Sequence, residues 1–227
     1  MNKISFKGVE AVLFDFEGTL VDFQWNLKGA VQKTLERLNA LGFPVDRLQG
    51  KKYSLLKNEA IAIAPEIGQS PDLVKEEIDA IYDRFDADAL SRWCLRSQAK
   101  DFLYSLKTSN IQTGLVSNVG KKALEEAIKK LDISSLLNII ISRNDVRHLK
   151  PNGDGIRLAL NRLKVSEEKA LFVGDSIDDI QAAKEVGLRV IIILGGENPR
   201  PDLLSGGPDF LIQDYGELIA CLKEDRI

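Results

Sequence analysis

The sequence predicts an α/β fold: a doubly wound parallel sheet with an inserted all-α domain. Three observations carry that expectation. Beyond Arg96, apolar strand-like runs alternate with amphipathic helical segments, the pattern of a parallel sheet covered by helices on both faces. An apolar run at Val9 to Phe14 has the same strand character but stands far from the others in sequence. Between them, from about Phe23 to about Trp93, the pattern is helical and charged, with no strong strand signal.

Taken in order, Val9 to Phe14 reads as a buried strand closing on Asp15. In the insert, Trp25, Ala30, Val31, Leu35, Leu38 and Leu41 recur roughly every three or four positions, as an amphipathic helix ending at Gly42 requires. A second helical segment is expected between Asp46 and Ala64. A third begins near Ser70-Pro71, with serine as N-cap and proline at the first helical position, and its Leu73, Val74, Ile78, Ile81 and Phe85 keep helical spacing. After the insert the sequence predicts helix Ala99 to Thr108, strand Ile111 to Val116, helix Lys121 to Leu131, strand Asn138 to Ser142 and helix Gly155 to Leu163. Strand Ala170 to Gly174, helix Ile177 to Val186, strand Arg189 to Leu194, strand Phe210 to Ile212 and helix Gly216 to Lys223 complete it. The Gly- and Pro-rich stretch from Gly195-Gly196 to Pro208 reads as a loop. The expected domains are residues 1–20 with 96–227 for the core, and 21–95 for the insert.

At 227 residues the chain can bury an independent core. A net charge of −3, from 31 basic and 34 acidic residues, provides no broad basic field for nucleic acid. Cys94 and Cys221 lie far apart and His148 is the single histidine, so a zinc site is not expected. Cys94 reads as a small buried apolar residue and His148 as a surface-loop residue. The first residues lack the apolar stretch of a secretory signal, and no run approaches the ~20 residues needed to span a bilayer. The expectation is a cytoplasmic protein with no membrane partner, either a monomer or a homodimer.

Four polar groups each follow an apolar strand: Asp15 with Glu17, Ser117 with Asn118, Lys150, and Asp175 with Asp178 and Asp179. In a doubly wound sheet ligands bind beyond the carboxyl ends of the strands, so these groups can converge although they span most of the chain. Their chemistry is complementary. Asp15 and Asp175 can hold a hard cation such as Mg2+, which takes oxygen ligands and shares them with phosphate and water. Ser117 and the Asn118 amide can donate hydrogen bonds, and Lys150 brings a point charge suited to phosphate. Together they would neutralise a transferring phosphoryl group. Asp178 reads as a solvated helix-start carboxylate.

These residues resemble the motifs of the haloacid dehalogenase-like (HAD) hydrolase superfamily. Asp15-Phe16-Glu17-Gly18-Thr19-Leu20 is similar to its opening motif except at Glu17, where the family pattern has aspartate. Ser117, Lys150 with Pro151, and Gly174-Asp175-Ser176-Ile177-Asp178-Asp179 match its later motifs in order and spacing. The resemblance implies a Rossmann-like core, and makes the helical insert similar to the family's C1 cap. The Gly18-Thr19-Leu20-Val21-Asp22 continuation looks like the phosphoglycolate phosphatase and beta-phosphoglucomutase branch. By resemblance Asp15 is the nucleophile, Glu17 the acid/base, and Thr19, Ser117, Asn118 and Lys150 the phosphate contacts. Mg2+ is then held by Asp15, the Glu17 carbonyl, Asp175 and Asp179, with a small phosphorylated metabolite as substrate.

Glutamate at position 17 leaves other branches open. A phosphonate hydrolase using an imine-forming cap lysine points to Lys51, Lys52 or Lys57, all otherwise read as solvated; a phosphosugar mutase and a non-catalytic phosphate- or partner-binding protein are further alternatives. Arg47, Lys51 and Lys52 either reach over the site to select an anionic substrate or form an exposed basic face. Phe23 and Trp25 either line the pocket or pack as core.

Overall fold

The computed structural model describes residues 3–225. In chain order its main elements are β1 (Ala11–Phe14), α1 (Leu27–Ala40), α2 (Tyr53–Ile63), α3 (Pro71–Leu90), α4 (Ala99–Thr108), β2 (Gln112–Val116), α5 (Lys121–Lys130) and β3 (Ile139–Ile141). They continue as α6 (Asp154–Leu163), β4 (Ala170–Gly174), α7 (Ile177–Val186), β5 (Arg189–Ile193), α8 (Arg200–Gly206), β6 (Phe210–Ile212) and α9 (Tyr215–Glu224).

The six strands form one sheet in the order β3-β2-β1-β4-β5-β6, every pair parallel. Every residue of β1 and β4 is buried, as the centre of a parallel sheet covered on both faces demands. Two apolar layers flank the sheet. One joins Val12, Phe14, Leu115 and Val173 to α4, α5 and α9, and the other joins Leu13, Val116 and Phe172 to α6 and α7. The strand order reverses between β1 and β4, where the connections to β2 and to β5 run toward opposite edges of the sheet and open a crevice beyond the strands' carboxyl ends.

Helices α1 to α3 lie between β1 and α4, connected to the sheet by two linkers that pair with each other. Val21 bridges Leu95 in antiparallel fashion, Asp22 N donates to Cys94 O at 3.1 Å, and Arg96 N donates to Leu20 O at 2.9 Å. Asn26 caps α1 by accepting from Gly29 N at 3.0 Å, which starts the helix two residues beyond the periodic Trp25. Trp25 instead packs on Tyr53 and Tyr82. Ser70 and Pro71 open α3 as the sequence predicts. Among the described residues, no helix is long and apolar enough to cross a membrane.

Several expectations are corrected. The stretch read as a loop from Gly195 to Pro208 contains α8; it buries only Leu203, so seven residues give no period to read. Cys94 is exposed, because the pairing of the linkers turns it outward. Lys57 is fully buried and ion-paired with Asp79 rather than solvated. Asp178 is buried too, accepting from Ser54 Oγ of α2 at 2.5 Å. His148 does lie at the surface, 2.9 Å from Asp154.

Candidate active site

Asp15 is the first residue beyond β1, and its amide still pairs with Val173 O of β4 at 2.9 Å. The chain then doubles back: the amides of Thr19, Leu20 and Val21 all point at Phe16 O. Gly18 makes this turn with a φ of +83°, and a Cβ there would lie 2.2 Å from Asp175 Oδ2. Gly196, after β5, approaches the same oxygen from the other side, where a Cβ would lie 2.0 Å away. Two stretches of bare backbone thus clasp the Asp175 carboxylate. It accepts from Thr19 Oγ1 at 2.9 Å and from Glu197 N at 2.6 Å.

Asp179 is fixed by a capping box at the start of α7, accepting from Ser176 N and Ser176 Oγ at 3.0 and 2.7 Å. Its other oxygen meets Lys150 Nζ at 2.6 Å, and the same ammonium lies 2.5 Å from Asp15 Oδ1. Asp15, Asp175 and Asp179 each present an oxygen within 4.8 Å of the others. Three buried carboxylates against one ammonium leave excess negative charge in a poorly solvated place. The all-oxygen donor set suits a hard divalent cation such as Mg2+. The protonation tendencies agree: burial pushes the Asp15 carboxyl up to about 6 despite Lys150, and burial, then Asp179 and Asp15, push Asp175 well up. Lys150 is disfavoured by burial, yet Asp15 and Asp179 hold its charge more firmly than usual.

Ser117 and Asn118 follow β2. Ser117 Oγ accepts from Val119 N at 3.2 Å, which leaves its proton for a ligand. The Asn118 side chain brackets the Lys150 backbone, accepting from Lys150 N at 3.1 Å and donating to Lys150 O at 3.3 Å and to the Tyr53 hydroxyl at 3.1 Å. Thr19 is fully buried with its hydroxyl on Asp175, so its side chain braces a carboxylate in this arrangement.

Glu17 turns toward the linkers. Its Oε1 accepts from Gln24 N at 2.7 Å and from Trp93 Nε1 at 2.9 Å, and burial pushes its carboxyl up to about 7 in spite of those donors.

The eight residues singled out in the sequence therefore collect at one crevice. Asp15, Glu17, Ser117, Asn118, Lys150 and Asp175 line it, together with Phe23, Trp25 and Tyr53 from the helical insert, and Thr19 and Asp179 stand behind. About 30 Å³ remains free, room for about two waters, so the insert is closed over the site. Sequence reasoning missed Tyr53, Trp93 and Glu197, each brought in by a different segment. Of the basic insert residues, Arg47 pairs with Glu66 and Lys51 with Glu59. Lys52 reaches the crevice rim, its Nζ 3.6 Å from Glu197 and 3.8 Å from Asp178.

An aspartate-and-lysine centre at the switch point of a 3-2-1-4-5-6 parallel sheet, roofed by an inserted helical block, defines a capped α/β enzyme of the hydrolase class. The chain belongs to the haloacid dehalogenase-like hydrolase family, whose model matches residues 12–193. It is 28% identical over 241 residues to a phosphoglycolate phosphatase from Salmonella paratyphi A, covering 98% of this chain and 95% of that one. Among solved structures it resembles a hydrolase from Pseudomonas syringae, with a TM-score of 0.66 and 22% identity over 95% of this chain and 98% of that chain. A haloacid dehalogenase-like family protein from Streptococcus pneumoniae gives a TM-score of 0.63 at 21% identity, over 94% and 98% of the two chains. At such identities these two speak for the fold alone.

Proposed function

We propose that the protein is a Mg2+-dependent phosphatase that hydrolyses a small phosphorylated metabolite through an aspartyl-phosphate on Asp15. The observation that carries this reading is the Lys150 ammonium held at once by Asp15 and Asp179. It keeps the Asp15 carboxylate oriented and offsets charge where a phosphoryl group would enter. Asp15, Asp175 and Asp179, with the Glu17 carbonyl, would hold Mg2+, which when bound supplies further positive charge to the phosphoryl oxygens.

Asp15 attacks phosphorus in line, forming the O–P bond as the bond to the leaving oxygen breaks. Glu17 gives its proton to that oxygen and, as carboxylate, then takes a proton from the water that attacks phosphorus and releases phosphate from Asp15. A carboxyl pushed up to about 7 suits both halves of that cycle near neutral pH. Ser117, the Asn118 amide and Lys150 bind the phosphoryl oxygens. Residues 21–95 act as a cap over a core of residues 1–20 and 96–227; with room for about two waters, the cap opens to admit substrate and closes to exclude solvent.

Trp25 Nε1 and Lys52 Nζ are buried without a hydrogen-bond partner, and both stand at the crevice. Two such donors favour a leaving group with acceptor or anionic character, and phosphoglycolate, the substrate named for the curated relative, is the first compound to try. An imine-forming role suits Lys57 poorly, because Asp79 already engages it. Phosphate release from a panel of phosphorylated metabolites, with Mg2+ and with chelator, tests the proposal. We expect Mg2+-dependent turnover that Asp15→Asn abolishes; turnover that survives in Asp15→Asn would overturn it.

A further inference from the structure

Arg143 follows β3 in the core, yet its guanidinium is fully buried against the helical insert. Its Nη2 donates to Asp86 Oδ2 at 2.8 Å and to Asp83, and its Nε lies 3.0 Å from Asp79 Oδ1, within ion-pair range though not aligned as a hydrogen bond. All three acids stand on α3 at spacings of four and three, one face of the helix. The remaining nitrogen, Nη1, donates to Asn118 O at 2.9 Å. Asp86 also accepts from Gly120 N at 2.9 Å, so both ends of the turn after Ser117 are tied to this cluster.

We infer that Arg143 is a positioning residue that makes the geometry of the Ser117-Asn118 turn, and through it Lys150, depend on the seating of α3. The path is continuous. Arg143 fixes the Asn118 carbonyl, the Asn118 side chain brackets the backbone of Lys150, and Lys150 Nζ holds Asp15. A planar fork offers separate nitrogens to α3 and to the turn, whereas an ammonium would have to meet both from one atom on a shorter stem. With α3 lifted, Asp79 keeps Lys57 and Lys75, but Asp83 and Asp86 lose their shared counter-ion and face one another as like charges, which favours reseating. Asp86 then no longer holds Gly120, and the turn is released at both ends. The phosphate-binding groups are thereby assembled when the insert is down and loosened when it is up.

The kinetic consequence rests on the phosphatase reading, whereas the structural one does not, so the test reads both. Arg143→Lys and Asp83→Asn are compared with the parent protein by amide hydrogen exchange and by turnover of phosphoglycolate and p-nitrophenyl phosphate with Mg2+. Asp83 is half-exposed, so its variant preserves the core should Arg143→Lys fail to fold. We expect at least tenfold lower kcat in Arg143→Lys and about two- to fivefold in Asp83→Asn, with KM changed less than threefold. Exchange should be faster at residues 117–120 in both, and unchanged in β1 and β4. Parent-like exchange at 117–120 in the variants that fold overturns the inference, as does faster exchange there with parent-like kcat. A parent protein that turns over neither compound refutes those substrates, and the exchange comparison alone then decides the role of Arg143.

Discussion

Glu17 Oε1 accepts a hydrogen bond from Trp93 Nε1 at 2.9 Å, joining the acid two residues beyond Asp15 to the linker by which the helical insert returns to the sheet. The first linker contributes as well, through Gln24 N at 2.7 Å. The longer arm of glutamate is thus used to reach both linkers. In Glu17→Gln the amide oxygen can accept from the same two donors, but it has no proton of carboxylic acidity to give and no base to offer. We expect kcat at least tenfold lower with no loss of thermal stability. Unchanged turnover in this variant would remove the acid/base role.

The same pair gives a pH dependence of stability whose sign follows from burial. The folded protein holds the Glu17 proton up to about 7, against an ordinary value of 4.5. Between those limits the folded state binds more protons than the unfolded one, so the contribution is fully present below 4.5 and is lost as pH rises through 7. Glu17→Gln has no such loss. In chelator, urea denaturation should show it more stable than the parent by about 1–3 kcal/mol at pH 8, with the gap closing toward pH 4.5. A gap that is constant with pH would place the Glu17 titration elsewhere.

Removing charge from the carboxylate cluster should separate metal binding from folding. Asp175 is held well above its ordinary range by burial and by Asp179 and Asp15, so in chelator it disfavours the folded state whenever ionised. Thr19 Oγ1 and Glu197 N donate to different oxygens of Asp175, so Asn in its place accepts from Glu197 N through its one oxygen and donates to Thr19 Oγ1 through its amide. We expect metal-free Asp175→Asn to be at least as stable as the metal-free parent. The parent alone should gain on adding Mg2+, by about 2.7 kcal/mol at a hundred times the Kd. Thermal melts across a Mg2+ titration measure both, and an equal Mg2+ gain in the variant would exclude Asp175 as a ligand.

The strands and the carboxylates were legible for one reason: a central parallel strand is a continuous apolar run, and the polar residue ending it marks the ligand edge. Asp15, Ser117 and Asp175 each stand at such an end. Residues whose roles depend on distant partners gave no such signal. Trp93 marked only the end of the helical stretch, and its bond to Glu17 crosses 76 residues. Arg143 is 57 residues from Asp86, although the acidic face of α3, Asp79, Asp83 and Asp86, was a visible pattern in need of a cation. Lys57 and Asp178 were read as solvated because a charged side chain is normally so. Their partners, Asp79 and Ser54, lie across helix packings that periodicity does not specify.

Three glycines distinguish backbone strain from crowding at Asp175. Gly42 has a φ of +82° with nothing within 4 Å of a Cβ, so Gly42→Ala bears only the left-handed penalty, about 1–2 kcal/mol, and should leave kcat and KM unchanged. Gly196 has no such backbone constraint, but its added methyl would sit 2.0 Å from Asp175 Oδ2 and 2.4 Å from the carboxyl carbon. The carboxylate must then move by about an ångström, and displacement of that size costs about 100-fold in turnover. Gly18 combines a φ of +83° with a 2.2 Å approach to the same oxygen, so Gly18→Ala should lose both stability and activity. Melting temperature and kcat, measured on all three, should therefore fall separately in Gly42→Ala and Gly196→Ala and together in Gly18→Ala. Parent-like turnover in Gly196→Ala would mean that Asp175 can leave its clasp without consequence, and the carboxylate would lose its place in the chemistry.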